Sequence, residues 1–240
     1  MNTAFGTGTV LLGQEAEGFA SPYSPPDDME RVRASLAGFD GGAPGSLRLF
    51  RPRPTAAFAP RDIAAPGYGE AVAAVRGFGF QPVDRPAGGR LAVYDESALV
   101  IDLVAPHPEP REHIHARFRD FAAAIAAALW ALGGEARVGE LPGEYCPGAW
   151  SVNGGGRIKL AGIAQRVGRR GYHLGAVIGV RRSDAAEAAL AAAYPALGLE
   201  FDPATFGTLD DFSQDAGFAA TRQAVIGALS GLIGIAGDAG

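Results

Sequence analysis

Two side chains in this sequence have no duplicate: Cys146 is the only cysteine, and Lys159 is the only lysine among 21 basic residues. Both fall in one turn-rich stretch, GEYCPGAWSVNGGGRIKLAGIAQR. The thiol is the one strong nucleophile candidate, because no G-x-S-x-G elbow, C-x-x-C pair, G-x-x-x-x-G-K-[ST] loop or G-x-G-x-x-G turn occurs. Cys146 stands between Tyr145 and Pro147–Gly148, where the backbone must turn, and loops held by a rigid scaffold are where reactive groups gather. A thiolate becomes reactive when positive charge lies close, which Lys159, Arg85 or Arg90 would supply if the fold brings them together. A lone cysteine is equally compatible with a small buried hydrophobe, and a lone lysine with compositional drift towards arginine. His113 and His115 are read as the solvated start of a helix, since residues two apart on a helix face different sides.

These residues have to be positioned by the elements around them. Residues 1–26 read as an irregular lead-in with a short strand near Gly8–Leu12, followed by a helix over DDMERVRASLAGF capped by Asp27–Asp28. SLRLFRPRPTAAFA predicts a strand interrupted by prolines, and PGYGEAVAAVRGFG a short helix. QPVDRPAGGRLAVYD and ALVIDLVAP predict two strands of a hairpin about the turn DES. Residues 110–132 carry apolar side chains at three-and-four spacing and predict a long helix. SVNGGGRIKLAGIAQRVGRRGYHLGAVIGV predicts antiparallel strands turning at NGGG and GRRG. Helices at Asp184–Tyr194 and Asp215–Ile235 make residues 181–240 a C-terminal helical part. The expected class is α+β, a central mixed or mainly antiparallel sheet flanked by helices, with residues 1–240 as a single domain.

Composition narrows the function. A net charge of −5 with scattered arginines gives no positive field for nucleic acid. No apolar run approaches the roughly 20 residues of a membrane span, and the N-terminus lacks a basic secretory start, so the expectation is a cytoplasmic protein without a membrane partner.

Three ordered motifs carry a resemblance. R-x-x-G-G-R-x-A-V (Arg85, Gly88, Gly89, Arg90, Ala92, Val93), then Y-C-P-G around Cys146, then K-L-A-G-I-A-Q-R (Lys159 to Arg166, with Gly162 and Gln165) together resemble the lipoate–protein ligase and octanoyltransferase family, which shares its catalytic domain with biotin protein ligases. The resemblance implies a tunnel for a medium-chain acyl group lined by Arg85 to Val93. It also implies that Lys159 holds the acyl carbonyl, and that an octanoyl or lipoyl group passes to the lysine of a lipoyl-carrier domain. In this family ligases form an acyl-adenylate from ATP with Mg, whereas cysteine transferases take the acyl group from a carrier such as an acyl-carrier protein and need no cofactor.

Cys146 in the Y-C-P-G position resembles the transferases, with the ATP-dependent ligase and a catalytically silent acyl-binding protein as the alternatives. Physics agrees with the assignments: paired glycines admit close backbone approach, and each buried methylene contributes about 0.8 kcal/mol. His173 is a further candidate, as a base for the thiol or as a hydrogen-bonded strand residue.

Overall fold

A computed structural model describes residues 3–13, 17–39, 43–213 and 216–236. In chain order the elements are β1 (Val10–Leu12), α1 (Pro25–Ala37), β2 (Gly45–Phe50), β3 (Thr55–Phe58), α2 (Pro60–Ile63), α3 (Tyr68–Gly77), β4 (Gln81–Asp84), β5 (Ala92–Tyr94), β6 (Ala98–Pro106), α4 (Ile114–Ala131), β7 (Ala136–Val138), β8 (Val152–Gly154), β9 (Ile158–Val167), β10 (Gly171–Gly179), α5 (Asp184–Ala196), α6 (Phe218–Ser230) and β11 (Ile235–Ala236).

Among the described residues, eight strands form a mixed sheet in the order β11-β1-β2-β6-β10-β9-β8-β7, and β4-β3-β5 form a second, smaller sheet. β1 runs parallel to both β2 and β11, whereas the pairs from β2 to β7 are antiparallel. The α+β class with a mixed sheet flanked by helices is therefore the observed one.

The large sheet has two unlike faces, because side chains alternate along each strand. One face presents Leu47, Leu49, Ile101, Leu103 and Leu174 to α4 and α6, whose Phe121, Ile125, Val225 and Leu229 complete a fully buried core. On the other, Phe50 and Val100 meet Ala57, Val83, Ala92 and Tyr94 of the small sheet. α3 and α5 close the far side of that small sheet around Phe58, Val75, Leu190 and Tyr194. The space between the two sheets is where the functional slot lies.

Three expectations are corrected. β5 and β6 are not a hairpin: β5 pairs with β3, and β6 with β2 and β10. Both strands are buried along nearly their whole length, so each needs cover on two sides, which two different sheets supply. The chain crosses between sheets at Asp95, whose carboxylate accepts from the backbone N–H of Ser97 and from the Ser183 hydroxyl. α1 is capped by Ser24, not Asp27–Asp28: the Ser24 Oγ accepts from the Asp27 N–H, and prolines fill the first helical positions. The last helix ends at Ser230 rather than Ile235, because the chain beyond it joins the sheet as β11. Its expected start at Asp215 lies outside the described residues.

Candidate active site

Cys146 lies in the loop between β7 and β8, and buried polar groups hold that loop. The residue adopts a φ of 43°, in the left-handed region that a non-glycine residue occupies only when its surroundings enforce it. Its backbone N–H donates to the Tyr194 hydroxyl, which itself donates to the carbonyl of Leu91 at 2.9 Å. Burial pushes the Tyr194 hydroxyl well above its ordinary range, so it keeps the hydrogen it donates.

Lys159 holds the same loop from beneath. Its Nζ donates to the carbonyls of Tyr145 and Cys146, each at 2.8 Å, and to Glu144 Oε1 at 3.1 Å. Both charged side chains of that pair are fully buried. Glu144 in turn accepts from the Ser151 hydroxyl at 2.6 Å and the Leu141 N–H at 3.2 Å. A buried ion pair is tolerated only when its remaining valences are met in this way.

The thiol points at two nitrogen donors. Cys146 Sγ accepts from Arg85 Nη2 and from the backbone N–H of Arg90, each at 3.3 Å. Burial alone would raise the thiol, but the Arg85 guanidinium, the Lys159 ammonium and the Arg90 N–H outweigh it and hold it below the ordinary thiol range. The Arg90 guanidinium is pinned 3.3 Å from the fully buried carboxylate of Asp62, which fixes the backbone that faces the sulfur. Gly89 completes the pocket by having no side chain: at φ +106° a Cβ there would lie 2.9 Å from Cys146 Sγ and collide with Arg85 Nη2.

From the thiol a narrow slot of about 90 Å³ runs between the sheets. Apolar side chains wall it, among them Met29, Val32, Phe50, Ala92, Val93 and Val177. Asp28, Asp102 and His173 also line it, at 5%, 9% and 6% exposure. His173 Nε2 lies 2.8 Å from Asp102 Oδ1, and Asp28 is held by Ser21 and Arg48.

The structure brings most of the sequence-predicted residues together. Cys146, Lys159, Arg85, Ala92, Val93 and Gly162 line the slot, with Gly89 and Arg90 around the sulfur. Gly88 is exposed and a Cβ there would meet open space. Gln165 is placed away from the slot: its amide donates to the Ile114 carbonyl and accepts from Arg117 Nε, so it braces α4 on the opposite side of the sheet from Gly162 and Ala164.

The hydrogens of Lys159 already have three acceptors in and beside the loop, whereas the buried Nε of Arg85 has no partner among the described residues. His173 sits in a central strand, pairing with Asp102 rather than with the thiol. Glu144, Tyr194 and Asp62 were not foreseen. Their contacts cross from one element to another, and no local pattern announces them.

The fold and site together define the class: a mixed sheet with a cysteine, flanked by nitrogen donors, beside an apolar slot between two sheets. The chain belongs to the lipoyl protein ligase A/B catalytic domain family, whose model matches residues 68–194. It is 33% identical over 149 residues to an octanoyl-[GcvH]:protein N-octanoyltransferase of Geobacillus kaustophilus, covering 62% of this chain and 52% of that protein. A protein of the same name from Exiguobacterium sibiricum is 30% identical over 146 residues, covering 61% and 53%. The chain thus spans about half the length of the curated relatives it matches.

In fold it is similar to the bipartite lipoate protein ligase of Thermoplasma acidophilum, with a TM-score of 0.70 at 20% identity, covering 97% of this chain and 86% of that one. A lipoate-protein ligase A bound with ATP gives a TM-score of 0.72 at 19% identity, covering 97% and 87%. Among the described residues no helix is long and apolar enough to cross a membrane.

Proposed function

We propose that this protein transfers an octanoyl group to the acceptor lysine of a lipoyl-carrier domain through a thioester on Cys146, with residues 1–240 acting as one catalytic domain. The observation that carries the reading is the Cys146 sulfur, held below the ordinary thiol range by Arg85, Lys159 and the Arg90 N–H at the mouth of an apolar slot. The relatives named above are octanoyl-[GcvH]:protein N-octanoyltransferases, which favours a donor that carries the octanoyl group on a protein.

The reaction has two balanced steps. In the first, the Cys146 thiolate attacks the donor carbonyl, a C–S bond forms, the bond to the carrier breaks, and the departing amine or thiolate takes up a proton. In the second, the acceptor lysine amine attacks the thioester, an amide forms, the amine gives up its proton, and Cys146 leaves as thiolate. Because the acyl group arrives already joined to a carrier, neither step consumes a nucleotide.

Lys159 shapes the loop that presents the sulfur, and the unpartnered Nε of Arg85 is the donor available to the carbonyl oxygen as charge develops on it. Burying six methylenes and the terminal methyl contributes roughly 5 to 6 kcal/mol towards holding an octanoyl chain.

The test is the intact mass after incubation with an octanoylated lipoyl-carrier protein. The expected result is a gain of one octanoyl group that is absent in Cys146→Ser and that chases onto an acceptor carrier. No adduct, together with ATP-dependent release of pyrophosphate in the presence of lipoate, would replace the transferase with a ligase.

A further inference from the structure

We infer that the slot accepts, beside the octanoyl chain of the proposed reaction, an acyl chain whose far end carries a hydrogen-bond donor, a hydroxyl or a thiol, received by Nδ1 of His173. The inference rests on the acyl-slot reading above and specifies its substrate further.

A slot for a plain octanoyl chain needs only apolar walls, since that chain ends in a methyl group. This slot instead has His173 and Asp102 in its wall, 6% and 9% exposed. Asp102 Oδ1 lies 2.8 Å from His173 Nε2, and a carboxylate can only accept, so Nε2 carries the ring hydrogen. On a neutral ring the other nitrogen then holds a lone pair. That nitrogen, Nδ1, is buried and has no partner among the described residues.

The neighbouring acid does not supply one, because Asp28 is engaged by the Ser21 hydroxyl at 2.8 Å and Arg48 Nη1 at 3.1 Å. Buried polar groups in folded proteins are paired with few exceptions, so an orphan of this kind marks a place where a partner arrives. The ring itself has little freedom: a Cβ on Gly175 would lie 3.0 Å from His173 Cε1 and 3.2 Å from Nε2.

The register places this nitrogen at the right depth. Gly162, beside the Lys159 ammonium, lies opposite Val177 across the β9–β10 ladder; the next row pairs Ala164 with Gly175, and the one beyond pairs Arg166 with His173. Asp102 faces Gly175 from β6. Successive same-face rows are about 7 Å apart, so the Asp102–His173 pair lies one to two rows, about 7 to 14 Å, from the thiol end. An extended octanoyl chain ends within that interval. The far end of the chain is therefore where Nδ1 can be satisfied.

Calorimetric binding of octanoate, 8-hydroxyoctanoate and the dicarboxylate suberate to the wild-type protein tests this. The hydroxy acid should bind about fivefold tighter than octanoate, the usual net worth of one buried hydrogen bond. His173→Phe, which keeps a flat ring without the nitrogen, should abolish or reverse that ratio. Equal or tighter binding of octanoate to the wild type overturns the inference, as does a preference for suberate, which would put an acceptor at the far end.

The wild-type ratio decides the matter alone if the variant does not fold. Carriers bearing 8-hydroxyoctanoyl or dihydrolipoyl groups, compared by rate of Cys146 adduct formation, then separate hydroxyl from thiol. Octanoate binding without discrimination removes only this inference, whereas failure of every acid to bind and every carrier to form an adduct removes the acyl-slot reading itself.

Discussion

At the scale of single residues, the paired glycines of the R-x-x-G-G-R motif turn out to have unequal tasks. Gly89→Ala would drive a methyl against the sulfur and the Arg85 guanidinium at a φ that side chains avoid, so we expect a loss of about 1–3 kcal/mol in urea titration and slowed adduct formation. Gly88→Ala meets open space and should stay within about 0.5 kcal/mol of wild type. Equal effects at the two positions would sink this account of the motif.

Arg85 has a different signature, in pH. Burial raises the Cys146 thiol, yet Arg85, Lys159 and the Arg90 N–H more than reverse this, so the rate of adduct formation should reach half its maximum below the pH at which a free cysteine ionises. Arg85→Gln should move that midpoint upward. The linked stability has a definite sign: the unfolded thiol holds its proton more tightly than the native one, so between the two midpoints stability rises with pH. The contribution is fully present above the unfolded midpoint and is lost as pH falls through the native one.

At the scale of elements, α1 is the lid of the slot, contributing Pro25, Asp28, Met29 and Val32 to its wall. Ser24→Ala removes its cap and should cost about 0.5–2 kcal/mol, with faster amide hydrogen exchange along α1 than along α4. Uniform exchange in both helices would count against a separately anchored lid. This element also shows what the sequence does and does not disclose. The SPP run at residues 24–26 is a readable helix start, and taking Asp27–Asp28 as the cap hid the fact that Asp28 turns inward to the slot.

The run from β8 through β9 to β10 was legible because glycine turns and apolar alternation agree, and Gly155 and Gly156 in the β8–β9 turn do adopt positive φ. The same alternation separates Gln165 from Gly162 by one face, a distinction that motif matching overlooked. Glu144 stayed hidden for a physical reason: its partnership with Lys159 forms only when the loop folds back on β9, and no spacing rule encodes such a closure.

At the scale of the whole molecule, the slot lies between two sheets, so filling it should brace both. Fatty acids that bind only the native state raise its stability, by about 2.7 kcal/mol at a hundredfold excess over the dissociation constant. Thermal shifts should therefore grow with chain length from butanoate to octanoate and then level off where the chain meets the Asp102–His173 pair. Shifts that keep rising with longer acids would mean the pair is not the floor.

Under the proposed transfer of an acyl group to a lysine, the burial of Lys159 has one more consequence. No lysine occurs elsewhere in the sequence, and this one has its ammonium sealed inside and triply engaged. A catalyst of the proposed kind would thereby be immune to its own product chemistry: it offers an acyl cargo no side-chain amine on which to be stranded. An amine-reactive ester should accordingly leave every side chain of the native protein unmodified and tag a single one once urea has opened the fold.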